Sequence, residues 1–114
     1  MSNLIIGISA FENQDYHRAF TLLHPFAHSG NPQAQSIIAN MYHLGLGMNK
    51  NISLAIQWYT KAAMQGEHIA CNNLGTIYFL GDDDIPPNEI EAHKWWQYSI
   101  NQGFIHSPRV LVSN

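Results

Sequence analysis

Residues 55–66 read AIQWYTKAAMQG and residues 92–103 read AHKWWQYSINQG, so Ala, two adjacent rings, a small or apolar pair and a closing Gly recur in one order. The recurrence extends along the chain. At a shift of 36, Ala34, Ile38, Ala39, Tyr42 and Gly45 align with Ala70, Leu74, Gly75, Tyr78 and Gly81. Past the loop the shift becomes 37, and Ala55, Trp58, Tyr59, Ala62, Ala63 and Gly66 align with Ala92, Trp95, Trp96, Ser99, Ile100 and Gly103. The additional residue lies in DDDIPPN. Looking back by 36, Ala19, Leu22, Leu23, Phe26, Ala27 and Gly30 repeat the second half of the pattern. Self-similarity at this period marks supersecondary units that bury their apolar faces by stacking.

Within a unit the spacing is helical. Ala, Trp, Tyr, Ala, Ala at offsets 0, 3, 4, 7 and 8 share one face of a 3.6-residue helix, which predicts amphipathic helices over 51–65 and 88–102. Ala34, Ile37, Ile38, Met41 and Tyr42, and likewise Ala70, Leu74, Ile77 and Tyr78, predict the helices that precede them. Gly30, Gly66 and Gly103 stand where a left-handed C-terminal cap belongs. Asn31-Pro32 and Ser107-Pro108 read as N-caps followed by Pro at the first helical position. Asn88 with Glu91 reads as a capping box, and Asn51 and Asp15 as N-caps. The ring pair supplies area to bury, and the small pair after it lets a neighbouring helix approach. Pro25 falls inside a predicted helix, where it removes a backbone bond to Thr21 and is expected to kink the chain.

Composition narrows the partners. A chain of 114 residues buries roughly 65% of the surface its unfolded form exposes. It is expected to form one domain over 1–114, with units at about 4–30, 31–66 and 67–103. Residues 104–114 then supply a capping helix over the last apolar face or begin a fourth unit. With 46% apolar and 11% charged residues the chain reads as globular. A formal charge of −3 with five scattered Lys and Arg argues against nucleic acid or an anionic membrane, which need clustered positive charge. No apolar run approaches the ~20 residues of a membrane span, and the N-terminal stretch lacks a basic n-region. A cytoplasmic location is the expectation. Cys71 is the single cysteine, so neither a disulfide nor a cysteine zinc site is expected.

The pattern A-x3-L-G-x2-Y-x2-G-x-G followed by D/N-x3-A-x2-W-Y-x2-A-A-x2-G resembles that of Sel-one-like repeats, relatives of the tetratricopeptide repeat. Residues 31–66 carry it through Gly45-Leu46-Gly47, Asn51 and Trp58-Tyr59. Residues 67–103 carry it apart from Asp83 in place of the second loop Gly and the one-residue insertion. Residues 4–30 lack the long loop and read more like a tetratricopeptide unit, with Gly7, Phe11, Asp15-Tyr16 and Ala19. The resemblance implies an all-α fold, a right-handed superhelix of antiparallel helix pairs, about three repeats with a C-terminal capping helix. It also implies a scaffold or adaptor that binds a protein or peptide in a concave groove, not an enzyme.

In the tetratricopeptide relatives the first helix of each unit lines the concave surface. Carried over by register, this places Phe11, His43 and Phe79 in one row, Ile8, Asn40 and Thr76 in a second, and Leu4, Ser36 and Asn72 in a third. Amide side chains in such rows bond an extended backbone, and rings grip its apolar side chains. The candidate contact residues are Ser36, Asn40, His43, Asn72, Thr76 and Phe79. Leu4, Ile8 and Phe11 equally suit the core of an irregular first unit. Two further readings stand beside the groove: a homodimer stacking through its terminal repeats, and a hydrolase built on His43 or His68. Trp58, Tyr59, Trp95 and Trp96 read as packing residues rather than a ligand stack. His24 and His28 are four apart, but Pro25 between them is expected to distort the turn and leave two unrelated surface histidines. Asp82-Asp83-Asp84 lacks the alternation of a calcium loop and reads as a solvated turn. Cys71 reads as a buried, inert thiol. No phosphate loop, nucleophile elbow or HExxH motif occurs, and no metal or cofactor is expected.

Overall fold

In the computed structural model, which describes residues 2–82 and 84–101, the repeat period resolves into six helices. These are α1 (Asn3–Glu12), α2 (Tyr16–His28), α3 (Pro32–Leu44), α4 (Ile52–Ala63), α5 (His68–Leu80) and α6 (Glu89–Asn101). Among the described residues there is no strand, only an isolated bridge between Asp82 and Ile85. Each helix packs on its neighbours in sequence, most extensively within the pairs α1/α2, α3/α4 and α5/α6. The body extends 45 × 31 × 23 Å, as expected when units stack along one direction. This is an all-α solenoid of about three repeats. The proposed capping segment 104–114, with Gly103 and Ser107-Pro108, lies outside the described residues.

Helix starts follow local chemistry. The Asn31 side chain accepts from the Ala34 N–H at 2.8 Å, with Pro32 at the first helical position. Asn51 accepts from Leu54 at 3.0 Å and Asn88 from Glu91 at 3.0 Å. Asn88 does not form a reciprocal capping box. Its own N–H already donates to the Tyr78 carbonyl at 2.6 Å, and the Glu91 carboxylate pairs with Lys94 at 3.4 Å. The equivalent Asn51 N–H donates to the Tyr42 carbonyl at 2.8 Å, so both long loops are closed by the same bond. Asp15 occupies its N-cap position without a side-chain bond. Ser2 and Glu67 cap α1 and α5; neither stood out in the sequence. Pro25 does not end α2, which continues to His28.

The core runs along the seams between helices. Tyr59, Leu23, Ile38, Met41 and Leu74 are fully buried, Trp96 is 2% exposed, and Trp58 is buried as well. Trp95 is only half-buried, so the second ring of the pair, Tyr59 or Trp96, is the deeper one. First helices make room for these large side chains. A Cβ on Gly7 would fall 2.7 Å from Leu23 Cδ2, and one on Gly75 would collide with the Trp96 indole. Gly7, Ala39 and Gly75 are repeat-equivalent, as are Leu23, Tyr59 and Trp96. Small thus meets large at the same register in the first and third units, and Ala39 and Tyr59, the equivalent pair of the middle unit, are both fully buried.

Polar groups reinforce the seams. Gln35, 4% exposed, donates from Nε2 to the Ala27 carbonyl at 3.0 Å and accepts from Gln65 Nε2 at 2.9 Å. One repeat later, Cys71 Sγ lies 3.9 Å from the Ala63 carbonyl. Both contacts reach a carbonyl in the last turn of a second helix, which also accepts from the N–H of the following Gly30 or Gly66. Burial, and then the Glu67 charge, push the Cys71 thiol up to about 11, in keeping with an inert cysteine. At the opposite end of the helices, Lys50 pairs with Asp82 at 2.8 Å, tying one long loop to the next. The acidic turn is therefore not simply solvated: Asp82 belongs to an inter-repeat ion pair.

Candidate functional site

The first helices α1, α3 and α5 lie on one side of the stack, and a cleft of about 430 Å³ opens between them. Its apolar wall is Phe11 from α1, Pro32 and Ile37 from α3, and Ile69 from α5. Gln33, Ser36 and Asn40 add polar atoms from α3, and Glu67 stands at the α5 start. The Glu67 carboxylate is already engaged, accepting from the Ile69 and Ala70 N–H groups at 3.0 and 3.1 Å. Ile69 is 52% exposed, so an apolar side chain faces solvent at the rim. The cleft offers apolar area flanked by side-chain amides, a lining suited to binding rather than proton transfer.

Of the rows placed by register, the cleft unites Phe11, Ser36 and Asn40. Ser36 is buried at its floor, and Asn40 is half-buried. Asn72 and Thr76 are half-buried farther along α5 and do not line it. Phe79 is half-buried with its ring 5.5 Å from that of Trp96, so it is engaged in packing α5 on α6. Leu4, Ile8 and Phe11 are half-buried and packed against the core. Pro32, Gln33, Ile37, Glu67 and Ile69 are the lining residues that register does not single out. Ile37 had been read only as part of a packing stripe, and the exposed Ile69 falls outside the repeat pattern altogether.

His43 belongs to a different arrangement. Asn73 Nδ2 donates to the Tyr59 hydroxyl at 3.2 Å, and that hydroxyl lies 3.4 Å from His43 Nδ1. The hydroxyl donates to His43 Nδ1 when the imidazole carries its proton on Nε2, and accepts from it in the other tautomer. Burial pushes the Tyr59 phenol well above its ordinary range. Burial lowers the His43 pKa, the Lys50 ammonium lowers it further, and Asp82 opposes them. The network links α3, α4 and α5 through three side chains.

His24 and His28 are also placed differently from expectation. Because α2 is unbroken through Pro25, the two share a face, with ring centroids 4.4 Å apart at 87°. His24 stacks on Phe20 at 4.7 Å, and both imidazoles meet the Trp58 ring edge-on, at 5.9 and 5.2 Å. Among the described residues no group of three or more His, Cys, Asp or Glu is arranged to hold a metal ion. No helix among them is long and apolar enough to cross a membrane.

The helix-pair geometry has close counterparts. The family model described as Sel1 repeat matches residues 7–31, 32–67 and 68–104. The crystal structure of a Sel1 repeat protein from Oxalobacter formigenes superposes with a TM-score of 0.80 at 39% identity, covering 90% of this chain and 40% of that one. The protective antigen c5321 of uropathogenic Escherichia coli, described as displaying an SLR fold, gives 0.83 at 28% identity, covering 89% of this chain and 22% of that one. This chain therefore spans well under half the length of either structure. No curated protein matches it significantly. With three consecutive matches to the repeat and the same fold in solved relatives, the chain belongs to the Sel1 repeat family.

Proposed function

We propose that this chain is a protein-interaction module of adaptor type, working in the cytoplasm, that receives an extended peptide segment across the first helices α1, α3 and α5. Sel1 repeat solenoids generally serve protein interaction, which supports the class of function. The single observation that carries the finer reading is the cleft, about 430 Å³ and bounded by three successive first helices. Its volume suits a short apolar stretch of a partner, gripped by Phe11, Ile37 and Ile69, while the Asn40 amide bonds the partner's backbone. Asn72, Thr76 and the outward edge of His43 extend the same face for the rest of the segment. Binding is the role; no step of bond making is assigned to any residue.

A displayed library of random peptides tests this. The library is panned against the parent chain and, in parallel, against Asn40→Arg/Ile69→Glu, a double variant at half-buried and exposed positions that spares the core. Sequences with a shared apolar anchor, retained by the parent and lost by the variant, support the cleft. Equal enrichment on both chains contradicts it.

A homodimer stacked through terminal repeats is the second reading, and Ile5, 54% exposed on the terminal helix α1, favours it. Light scattering across a dilution series separates the two, since a dimer loses mass on dilution whereas a monomeric module does not.

A further inference from the structure

We propose that His24 and His28 form a two-imidazole site for a tetragonal transition-metal cation of the Cu²⁺ or Ni²⁺ type on the outer face of α2. Two histidines at i and i+4 on one helix face are a minimal chelate, the spacing used by helical zinc motifs. The spacing is effective only if the helix is continuous, and α2 runs through Pro25 to His28. The distance between rings then bears on the geometry. A nitrogen 2.0–2.1 Å from an ion places each ring centroid about 3.2 Å away, so rings at right angles about the ion lie about 4.5 Å apart and tetrahedral ones about 5.2 Å. The observed separation is 4.4 Å. That spacing accommodates the right-angle positions of a tetragonal ion once an imidazole nitrogen of each ring turns toward a common point.

The surroundings hold the pair ready. Phe20 stacks on His24, and Trp58 meets both rings edge-on, which restricts their rotamers before any ion arrives. His28 is exposed and His24 half-exposed, so an ion has access and keeps open positions for water or a partner's donor atom. Both histidines lie in the last turns of α2, where the negative end of the helix dipole favours a cation. Lys61, whose ammonium lies 4.7 Å from the centre of the Trp58 ring, works against a cation, as does the absence of a third donor among the described residues. The site is built to bind moderately, not to trap.

Trp58 is a built-in reporter, because bound Cu²⁺ or Ni²⁺ quenches a ring in contact with its ligands. CuCl₂, NiCl₂ and ZnCl₂ are titrated separately into the full chain at pH 7.5 with tryptophan emission and, for Cu²⁺, electron paramagnetic resonance as readouts. Saturable 1:1 Cu²⁺ quenching is expected, with nitrogen coupling in the spectrum and tighter binding than Ni²⁺ or Zn²⁺. His28→Ala and His24→Ala should each weaken it at least about tenfold, a loss near 1.4 kcal/mol, while His17→Ala should leave it unchanged. His28 is exposed, so its variant folds and decides the matter even if His24→Ala loosens the Phe20 stack. Quenching that does not saturate, or that is unchanged in His28→Ala, overturns the site.

Discussion

Gly75 carries no side chain because the Trp96 indole occupies the space a Cβ would need. Gly75→Ala is therefore an overpacking change, expected to cost about 1–3 kcal/mol in urea unfolding, although alanine normally favours a helix. The mirror change, Trp96→Ala, opens a cavity in the same place and should cost about 3–5 kcal/mol. Trp95→Ala should cost clearly less, since Trp95 is half-buried; equal costs would contradict the assigned depth of the two rings. This ordering was only half legible in the sequence. The repeat put both rings in a packing position, but helical spacing alone does not say which of two adjacent residues points more deeply. Gln35 was wholly hidden, because a glutamine following a core alanine has the composition of a surface residue. Its burial becomes reasonable only once the Ala27 carbonyl, at the end of the preceding helix, comes within its reach. Gln35→Ala should cost about 1 kcal/mol by removing its bonds to Ala27 and Gln65, although the Ala27 carbonyl keeps the Gly30 N–H and Gln65 keeps the Lys61 carbonyl, again read by denaturant unfolding.

At the scale of helices and loops, capping explains why most boundaries could be read in advance. Asn31, Asn51 and Asn88 are N-caps in sequence and in structure, because an asparagine side chain reaches the N–H three residues on. Asn51→Ala should cost about 1 kcal/mol, whereas Asp15→Ala should fall within a few tenths, since Asp15 makes no cap bond. Thermal melts of both variants compare them directly. Asp82 reads differently in the structure because it depends on a tertiary partner, being drawn into an ion pair by Lys50 from the preceding loop, whereas Pro25 lies inside α2 as its position implies. The His43–Tyr59–Asn73 network joins three helices, and it makes stability depend on pH. His43 and His24 both have folded pKa values below the ordinary 6.5, so the unfolded chain binds more protons than the folded one just beneath that pH. Their stabilising effect is fully present above 6.5 and is lost as pH falls through the folded values. Unfolding free energy should accordingly drop between pH 7.5 and 5, and His43→Asn should flatten part of that slope. A His43→Asn chain with an unaltered slope would remove His43 from this account.

For the whole molecule, periodicity made the solenoid legible before any coordinates: a helix pair with one apolar stripe must be covered by the next pair. The cleft was less legible. Register carried Phe11, Ser36 and Asn40 to it, but the rim residue Ile69 obeys no repeat rule, and Phe79 has a packing partner that spacing could not reveal. The folding claim is the one on which the reading of the exposed face rests, because only a stack leaves the first helices free along one side. The decisive measurement is circular dichroism with urea unfolding of residues 31–66 alone beside the full chain. The full chain should unfold in one cooperative transition, and the isolated unit should show little helix and no transition. An isolated unit with full helicity and a sharp transition would mean that one pair covers itself, and the stacking account would be wrong.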